Sequence, residues 1–339
     1  MKKSLVSRCL VLTLSVASIF TASSQELKRV GQATMTFLSI DPVARSVGMG
    51  GASTGMDGDV NALFHNPAGI AKIGGGAITL NNTQWLVDIK QYSLALAYGW
   101  SGVGTFGASL LLMDNGDMPR TIPDASREGY HQEGTFSVSQ YAVGFGYARQ
   151  ITERFAIGGH VKYVYQDLGP TDITRQVGSQ QYDTLRNVRN DRGVIALDFG
   201  TIYYPGFGDL RIAMTFRNFS TKIRYAYDDF QLPVVLRVGA AMNVLGMVGG
   251  AEDHAFQLSV EVAHPNDYSD RVYLGGEYSF QNLVHLRGGY RVNFDEGELS
   301  AGIGISPSAM GGNLRLDYAY THYGETLGAV HRLSVGFTF

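Results

Sequence analysis

Three short stretches of the chain match sequence signatures of chemical sites. Residues 102–107 read Gly-Val-Gly-Thr-Phe-Gly, the glycine spacing with which a dinucleotide-binding loop holds a pyrophosphate. Residues 51–55 read Gly-Ala-Ser-Thr-Gly, the spacing of a nucleophile elbow that presents a serine for acyl transfer. Residues 57–61 read Asp-Gly-Asp-Val-Asn, which matches the start of a calcium-binding loop.

None of the three stretches has the surroundings that its chemistry requires. Residues 102–107 follow a tight turn and enter a strand pattern, so no helix N-terminus is available for a pyrophosphate. The elbow serine lacks a preceding strand and a following helix. In the calcium-like loop, Ala62 stands where the turn glycine belongs and Ala68 where the bidentate glutamate belongs. We interpret the glycines as turn residues and Asp59 as a helix cap.

No other group of residues indicates catalysis or metal binding. The eight histidines are scattered without the spacing of metal ligands. His160 and His285 fall on polar strand faces, where an ordinary hydrogen bond is expected. We therefore predict no catalytic residue, no metal, no cofactor and no enzymatic activity, and we expect no nucleic-acid partner.

Residues 1–24 have the pattern of a secretory signal peptide. Three basic residues precede an apolar run of about a dozen residues, and the small residues 22–24 follow it. That run is shorter than the roughly 20 residues that a membrane-spanning helix needs. Cys9, the only cysteine, belongs to this segment, so the mature chain would form no disulfide. The sequence after it shows no transmembrane helix, which leaves a periplasmic, a secreted or an outer-membrane protein.

The rest of the chain is typical of aromatic-rich β-strands. It holds 43 glycines, 9 prolines, 19 tyrosines and 17 phenylalanines. Apolar and polar residues alternate with period two, which places successive side chains on opposite faces of a strand. The pattern predicts fourteen strands, at residues 76–85, 92–100, 104–113, 138–149, 154–166, 192–204, 209–219, 234–243, 255–264, 270–280, 284–293, 298–306, 313–321 and 331–339.

An even number of strands with unequal connections favours a closed barrel in a bacterial outer membrane. Connections after even-numbered strands are mostly short, whereas those after odd-numbered strands include the long loops 114–137 and 167–191. Short periplasmic turns and long outer loops produce this asymmetry. A water-soluble all-β protein is the alternative that the alternation leaves open.

Charge separates the two faces of the predicted strands. One face is apolar and carries no charge in the core of the thirteen stronger runs, as expected for lipid, where an Arg or Lys at mid-bilayer costs roughly 2–4 kcal/mol. We assign the opposite face to the lumen. It holds the charged residues Lys162, Asp198, Arg211, Arg217, Arg237, Glu261, Arg271, Glu277, Arg287, Arg291, Arg315, Asp317 and Arg332.

The sequence predicts a separate, turn-rich segment before the first strand. Residues 26–75 do not alternate. Asp41 followed by Pro42 predicts a helix start, with Asp41 as the N-cap and Gly48 as the stop. A second short helix is predicted from Asp59 to Phe64, ending ahead of Asn-Pro.

This segment contains two motifs, an Ala-Arg-x-x-Gly-Met-Gly-Gly block and an Asn-Pro-Ala-Gly turn. Their residues are Ala44, Arg45, Gly48, Met49, Gly50, Gly51, Asn66, Pro67, Ala68 and Gly69. The two motifs resemble those of the PorV/PorQ family, distant relatives of the FadL-type fatty-acid channels, and the strand count extends the resemblance over nearly the whole mature chain. The resemblance implies an all-β fold: a 14-stranded antiparallel transmembrane β-barrel, residues 76–339, with an N-terminal hatch of short helices and turns, residues 25–75, plugging its lumen.

The resemblance also implies a role and partners in the outer membrane. Known PorV/PorQ members serve type IX protein secretion, so secreted cargo or other secretion components are expected partners. Phe339 looks like the aromatic end that barrel assembly machinery recognises, and the surrounding partner is outer-membrane lipid. The alternative is a FadL-like channel for fatty acids or other hydrophobic small molecules. We rank the secretion role first, because an arginine-rich lumen suits an apolar conduit poorly.

The predicted lumen has a wall of small residues and a wall of arginines. The second and fourth predicted strands turn Ser, Ala and Gly inward, at residues 93–99 and 142–148. We expect residues 26–75 to pack there, facing the arginines. The four lumen acids cannot balance nine bases, and unpaired interior charges are costly. Carboxylates such as Asp57 and Asp59, carbonyl groups or an anionic small ligand should supply the difference.

Overall fold

The computed structural model describes residues 32–124, 129–176, 182–225, 228–247, 253–309 and 311–339. The predicted signal peptide, residues 1–24, lies outside these ranges.

Within the described ranges, fourteen antiparallel strands close into one barrel, which confirms the predicted all-β antiparallel barrel. Each strand pairs with the next along the chain, and the last pairs with the first, with Leu80 opposite Val335. The strands are β1 Gly76–Gln84, β2 Lys90–Trp100, β3 Gly104–Asp124, β4 Gly129–Thr152, β5 Phe155–Gln176, β6 Tyr182–Tyr203, β7 Arg211–Ser220, β8 Val235–Asn243, β9 His254–Pro265, β10 Arg271–Phe280, β11 Val284–Val292, β12 Leu299–Ile305, β13 Gly312–His322 and β14 Ala329–Thr338.

The remaining elements are short. A small hairpin joins Ile223–Tyr225 to Asp228–Phe230, and Ser308–Ala309 pairs with the start of β13. Across the described ranges, no helix is both long and apolar enough to cross a membrane. The α-helices are α1 Ala44–Gly48, α2 Val244–Met247 and α3 Gly324–Leu327, and the 3-10 helices are Thr36–Ser39, Val60–Phe64, Pro67–Lys72 and Leu86–Asp88.

The prediction of two long loops, 114–137 and 167–191, was wrong, because most of these residues extend the strands on either side. β3 to β6 contain 21 to 24 residues each, whereas a strand crosses a membrane with about 9–11. The β3–β4 and β5–β6 pairs continue past their predicted ends with register shifts. Beyond a membrane neither face must be uniformly apolar, so backbone pairing persists without the alternating signal.

The outer surface of the barrel is an apolar belt. Large side chains on many strands point away from the lumen, including Leu96, Val143, Val161 and Ile195, which are 42 to 63% exposed. Exposed apolar side chains on every side of a closed barrel form the surface that faces lipid.

We distinguish the two ends of the barrel by their connections. At the short-turn end, brief turns such as residues 101–103 and 281–283 join the strands. At the long-hairpin end, the β3–β4 and β5–β6 hairpins extend outward. These two names are used below.

Residues 32–75, the N-terminal segment, run through the lumen between the two ends. Ala33 forms a bridge to Gln231 at the long-hairpin end. Gly75 accepts a hydrogen bond from the Gly99 amide at the short-turn end. Between them, most side chains from Val43 to Ile70 are buried.

Local capping explains the helices of the N-terminal segment, with one correction. Asp59 caps Val60–Phe64 as predicted, by accepting from the Asn61 amide. Asp41 is not the N-cap of α1, because Val43 occupies that position and Asp41 instead accepts from the Val43 amide in a turn before it. The unpredicted helix Pro67–Lys72 begins after Asn66, whose side chain accepts from the Ala68 amide.

Inward-facing glycines let the segment lie directly against the barrel wall. On the small-residue wall, a Cβ built on Gly146 would meet Leu63 at 2.6 Å, and on the neighbouring strand β5 one built on Gly158 would meet Ala68 N at 2.5 Å. Leu63 also belongs to one apolar cluster with the inward alanines of β2. On the opposite wall, a Cβ on Gly289 would overlap the Gly50 backbone.

Candidate functional site

The inward face of the barrel carries all thirteen charged residues that the alternation assigned to the lumen. Each is buried or half-buried, from Arg332 at 2% exposure to the partly covered Arg211, Arg217, Arg237, Arg271 and Arg315. They form separate groups, each of which contacts the N-terminal segment or lies close to it.

Glu277 of β10 is the centre of the largest charged group. It accepts hydrogen bonds from Arg45 of α1 at 2.7 and 3.0 Å and from Arg287 at 2.5 Å. Asp317 of β13 lies 2.8 Å from Arg287 and 2.9 Å from Arg315. Arg45 also contacts Asp59 at 3.2 Å. This network ties the first helix of the segment to strands β10, β11 and β13.

Glu261 of β9 holds the turn that follows α1. One carboxylate oxygen accepts from the backbone amides of Ser53 and Thr54, at 3.0 and 2.8 Å, and the other accepts from Arg237 at 2.6 Å. Ser53 is the serine of the elbow-like motif. Its backbone is thus part of a turn bound to the wall, without the strand and helix of a nucleophile elbow.

Asp57 links Lys72, near the end of the N-terminal segment, to residues at the short-turn end of the barrel. Its carboxylate contacts Arg211 at 2.5 Å, Lys72 at 2.8 Å and the Tyr204 hydroxyl at 3.0 Å. Burial alone would raise the pKa of Asp57, but Arg211 and Lys72 outweigh burial and hold that pKa below its ordinary value. Burial and then Asp57 raise the pKa of Tyr204, which keeps the phenol as a donor.

A Ser–His–Asp arrangement lies on β3, β5 and β6. The Ser109 hydroxyl is 2.9 Å from His160 Nε2, and His160 Nδ1 is 3.2 Å from Asp198. This is the order of a hydrolase triad. However, Lys162 binds the same carboxylate at 2.7 and 2.8 Å, and all three triad-like residues are buried. We interpret the arrangement as a structural hydrogen-bond network. His285 has a simpler role between Ser279 and Ser306, at 2.8 and 3.0 Å.

Two cavities lie on opposite sides of α1. One, of about 690 Å³, opens toward the short-turn end and is lined by Arg45, Asp57, Asp59 and Arg211 among others. The other, of about 290 Å³, lies toward the long-hairpin end and includes Val47. We call the second the arginine cavity, because five arginines line it: Arg217, Arg237, Arg271, Arg291 and Arg332.

Aromatic side chains hold the guanidinium groups of the arginine cavity. The Arg271 guanidinium lies 4.3 Å from the centroid of the Tyr268 ring and 4.4 Å from that of the Phe294 ring. Arg332 is 5.4 Å from the Trp85 ring. Such contacts stabilise cations without neutralising them.

Sequence reasoning missed these aromatic residues. Tyr273, 4.8 Å from Arg237, carried a usable signal, because it shares the inward face of β10 with Arg271 and Glu277. Trp85 ends the predicted strand 76–85, whose alternation places it on the same inward face as Thr83, so it also carried a usable signal. Tyr268 lies in a connection, where no periodicity indicates the direction of a side chain.

The motif residues of the N-terminal segment are mostly buried against the wall. The Gly50 carbonyl accepts from Arg291 at 3.1 Å, and the Asn66 amide donates to the Thr54 and Thr201 carbonyls. The buried motif residues are Ala44, Gly48, Met49, Gly50, Gly51, Asn66, Pro67, Ala68 and Gly69, while Arg45 is half-buried.

Phe339 lies at the short-turn end. The residue is 67% exposed, and its backbone exchanges two hydrogen bonds of 2.8 Å with Gly76. Among the described residues, no cluster of three or more His, Cys, Asp or Glu side chains is arranged to hold a metal ion.

Comparison with solved structures identifies the fold. The chain matches the Ralstonia pickettii toluene transporter TbuX with a TM-score of 0.54 and 16% identity, over 88% of this chain and 97% of that one. It has the fold of the FadL-type channels. The Pseudomonas putida toluene transporter TodX gives 0.57 and 13%, over 88% and 97% of the two chains, and a Pseudomonas aeruginosa FadL homologue gives 0.54 and 11%, over 87% and 97%. No protein-family model matches the chain, and no curated protein does.

Proposed function

We propose that this protein is an outer-membrane channel for the uptake of hydrophobic small molecules, closed by its N-terminal segment. The observation that carries the proposal is that α1 separates two cavities inside a 14-stranded barrel of the FadL fold. A solute entering at the long-hairpin end reaches the arginine cavity first. It passes to the second cavity when the N-terminal segment, acting as a hatch, shifts.

Location and direction follow from the same features. The apolar belt faces lipid, the short-turn end is periplasmic and the long-hairpin end is extracellular, as the connection lengths of bacterial barrels indicate. Residues 1–24 act as the export signal, and Phe339 serves assembly. The protein acts without a cofactor, metal or catalytic residue in this role.

This proposal reverses the ranking that the sequence alone favoured. The similar structures are toluene transporters and a FadL homologue, and they support solute uptake rather than type IX secretion. The resemblance to PorV/PorQ proteins depends on the two motifs of the N-terminal segment and on the strand count, and a fourteen-stranded barrel is equally expected of a FadL-type channel. An arginine-lined lumen is compatible with uptake, because the arginines are concentrated in one cavity and largely paired elsewhere.

A disulfide between the hatch and the wall tests the proposal. A Cβ built on Gly55 lies 3.0 Å from the Ala241 Cβ, slightly inside the usual separation of about 3.5–4.5 Å. Gly55→Cys combined with Ala241→Cys should therefore cross-link the segment to β8 after small adjustments. The chain has no native cysteine after Cys9, so no competing pair exists.

We expect oxidation of this double variant to abolish toluene uptake into cells, and a reducing agent to restore it. Each single cysteine variant is the control and should transport in both conditions. Uptake that is equally fast with the disulfide formed would overturn the hatch mechanism. Gene deletion separates the two roles: lost uptake with unchanged surface proteins supports the channel, whereas cargo retained in the periplasm would favour secretion.

A further inference from the structure

The arginines that lack carboxylate partners are gathered in one place. Five of the nine basic side chains facing the lumen from the strands contact a carboxylate directly. The other four have no carboxylate within salt-bridge distance anywhere in the described part of the chain. They are Arg217, Arg271, Arg291 and Arg332, and all four line the arginine cavity.

Several guanidinium donors in this cavity also lack acceptors. Arg332 is 2% exposed and donates from Nε to the Asp41 carbonyl at 2.9 Å, but its buried Nη1 has no acceptor among the described residues. The Nε atoms of Arg217 and Arg271 are also buried, and they too have no acceptor among the described residues. A buried donor without an acceptor is unfavourable, and more so when it is charged. A ligand with acceptor oxygens would relieve this cost.

The carboxylates that line the cavity do not balance its charge. Asp41 accepts from His65 Nε2 at 3.0 Å and from Ser46 and the Val43 amide. Asp267, in the connection after β9, has its pKa raised by burial, which favours its neutral form. Even with both ionised, four unpaired arginines against two carboxylates leave two positive charges without a counter-charge.

The aromatic rings add a second requirement. Five of them line the cavity, at Trp85, Tyr268, Tyr273, Phe294 and Tyr323. Flat apolar faces next to planar guanidinium groups match a ligand that combines a ring with carboxylates, since arginine binds carboxylate through two parallel hydrogen bonds. The volume of about 290 Å³ is at the small end of ligand pockets and suits a single ring.

We propose that the arginine cavity binds a small aromatic dianion, such as a benzenedicarboxylate. The two carboxylates occupy the unpaired guanidinium groups, and the ring lies against the aromatic side chains. This inference rests on the proposed channel function and adds a second ligand class to it, an aromatic dianion that binds in the arginine cavity, beside the hydrophobic molecules that the channel takes up.

Tryptophan fluorescence offers a direct binding test. The chain has two tryptophans, and Trp100 is exposed near the opposite end of the barrel. Trp100→Phe leaves Trp85 as a reporter inside the cavity. The full mature protein in detergent micelles is titrated with phthalate, and with benzoate, succinate, toluene and inorganic phosphate for comparison. We expect the Kd for phthalate to be at least tenfold below that for each of the others.

Removing two unpaired arginines should weaken binding without leaving a carboxylate unpaired. Arg217→Gln with Arg271→Gln is expected to raise the Kd for phthalate at least tenfold. The matched control is Arg149→Gln, an exposed arginine at the short-turn end that donates to the Gly102 carbonyl; it should leave the Kd unchanged. Arg217→Lys with Arg271→Lys keeps both charges but removes two-point carboxylate binding, and should give an intermediate Kd.

The outcomes separate this inference from the proposed function. Equal affinity for phosphate or succinate would reduce the cavity to a general anion site and overturn the aromatic requirement. Equal affinity for benzoate or toluene, or no binding of phthalate, would overturn the proposal that the ligand is a dianion. If phthalate fails to bind while toluene uptake continues, the inference fails and the channel stands. If phthalate binds but no solute is transported, the site stands and the channel fails.

Discussion

Arg45 of the N-terminal segment binds Glu277 of β10 through two hydrogen bonds, of 2.7 and 3.0 Å, in the interior of the barrel. The two residues are 232 positions apart in the chain. Glu277 is 5% exposed in its side chain and also binds Arg287, so one carboxylate joins the segment to two neighbouring strands. This contact is one of the electrostatic links between the proposed hatch and the wall, together with that between Asp57 and Arg211.

Replacing Glu277 should destabilise the closed barrel strongly. Glu277→Gln leaves Arg45 and Arg287 without their shared counter-charge, and breaking a buried ion pair from one side costs about 3–5 kcal/mol. Urea titration of the protein folded in lipid vesicles would measure the loss in free energy of unfolding. Glu325→Gln, at an exposed position of α3, is the control and should change stability by less than about 0.5 kcal/mol. If Glu277→Gln lowered the free energy of unfolding by less than about 1 kcal/mol, the contact between Glu277 and Arg45 would not be an important link between the segment and the wall.

Two adjacent glycines of β11 give a matched test of the close packing. Gly289 faces the lumen, where an added Cβ would overlap Gly50, whereas a Cβ on Gly288 meets nothing within 4 Å. Gly289→Ala should displace the segment, cost about 1–3 kcal/mol through overpacking and raise the ion conductance of single barrels in planar bilayers. Gly288→Ala should match the native protein in both measurements. Equal conductance in the two variants would show that the segment does not depend on this contact.

The barrel itself was predictable because lipid and lumen impose opposite demands on alternate residues. Leu333 and Arg332 point in opposite directions, and that alternation repeats in each of the fourteen strands. The long-hairpin end was not predictable in this way. There, pairing continues from Asp114 and Asp167 where both faces are free of lipid, and register shifts disturb what alternation remains.

The candidate site was predictable in its charges and not in its geometry. The inward face of each strand follows from period two, so Arg217 and Arg271 could be assigned to the lumen. Four of the five paired bases bind carboxylates of the barrel strands, but the fifth acquires its partner from the N-terminal segment. Asp57 pairs with a barrel arginine, Arg211, whereas Asp59 contacts Arg45 of its own segment. Spacing along a turn-rich segment does not determine such contacts.

Acid should release part of the segment through Asp57. Its pKa is lowered relative to the unfolded chain, so Asp57 stabilises the fold fully above its ordinary pKa of about 3.9, and this contribution is lost as the pH falls through the lowered value. Asp57→Asn should therefore be less stable than the native protein at neutral pH and lose less stability on acidification below about pH 4. Unfolding midpoints in urea at several pH values measure both effects.

Asp209→Asn is the control for this prediction. Asp209 lies 3.9 Å from the same arginine, Arg211, but its side chain is half exposed, so its ion pair should contribute about 0–1 kcal/mol. We expect the pH dependence of Asp209→Asn to follow that of the native protein. If the unfolding midpoints of Asp57→Asn and Asp209→Asn depended on pH in the same way, the buried contact between Asp57 and Arg211 would contribute no more stability than the exposed one.

Asp198 should be required for stability rather than for catalysis. It is the carboxylate of the triad-like arrangement, but it also binds Lys162 at 2.7 and 2.8 Å and the Asn218 amide at 2.7 Å. Asp198→Asn strands a buried lysine and should cost about 3–5 kcal/mol, whereas Asp198→Leu with Lys162→Met removes both charges and should recover most of that loss. Ser109→Ala strands no charge and should cost only about 1 kcal/mol, the value of a hydrogen bond. Hydrolysis of a nitrophenyl ester that is present in the native protein and lost in Ser109→Ala would assign the arrangement to catalysis and refute the structural interpretation.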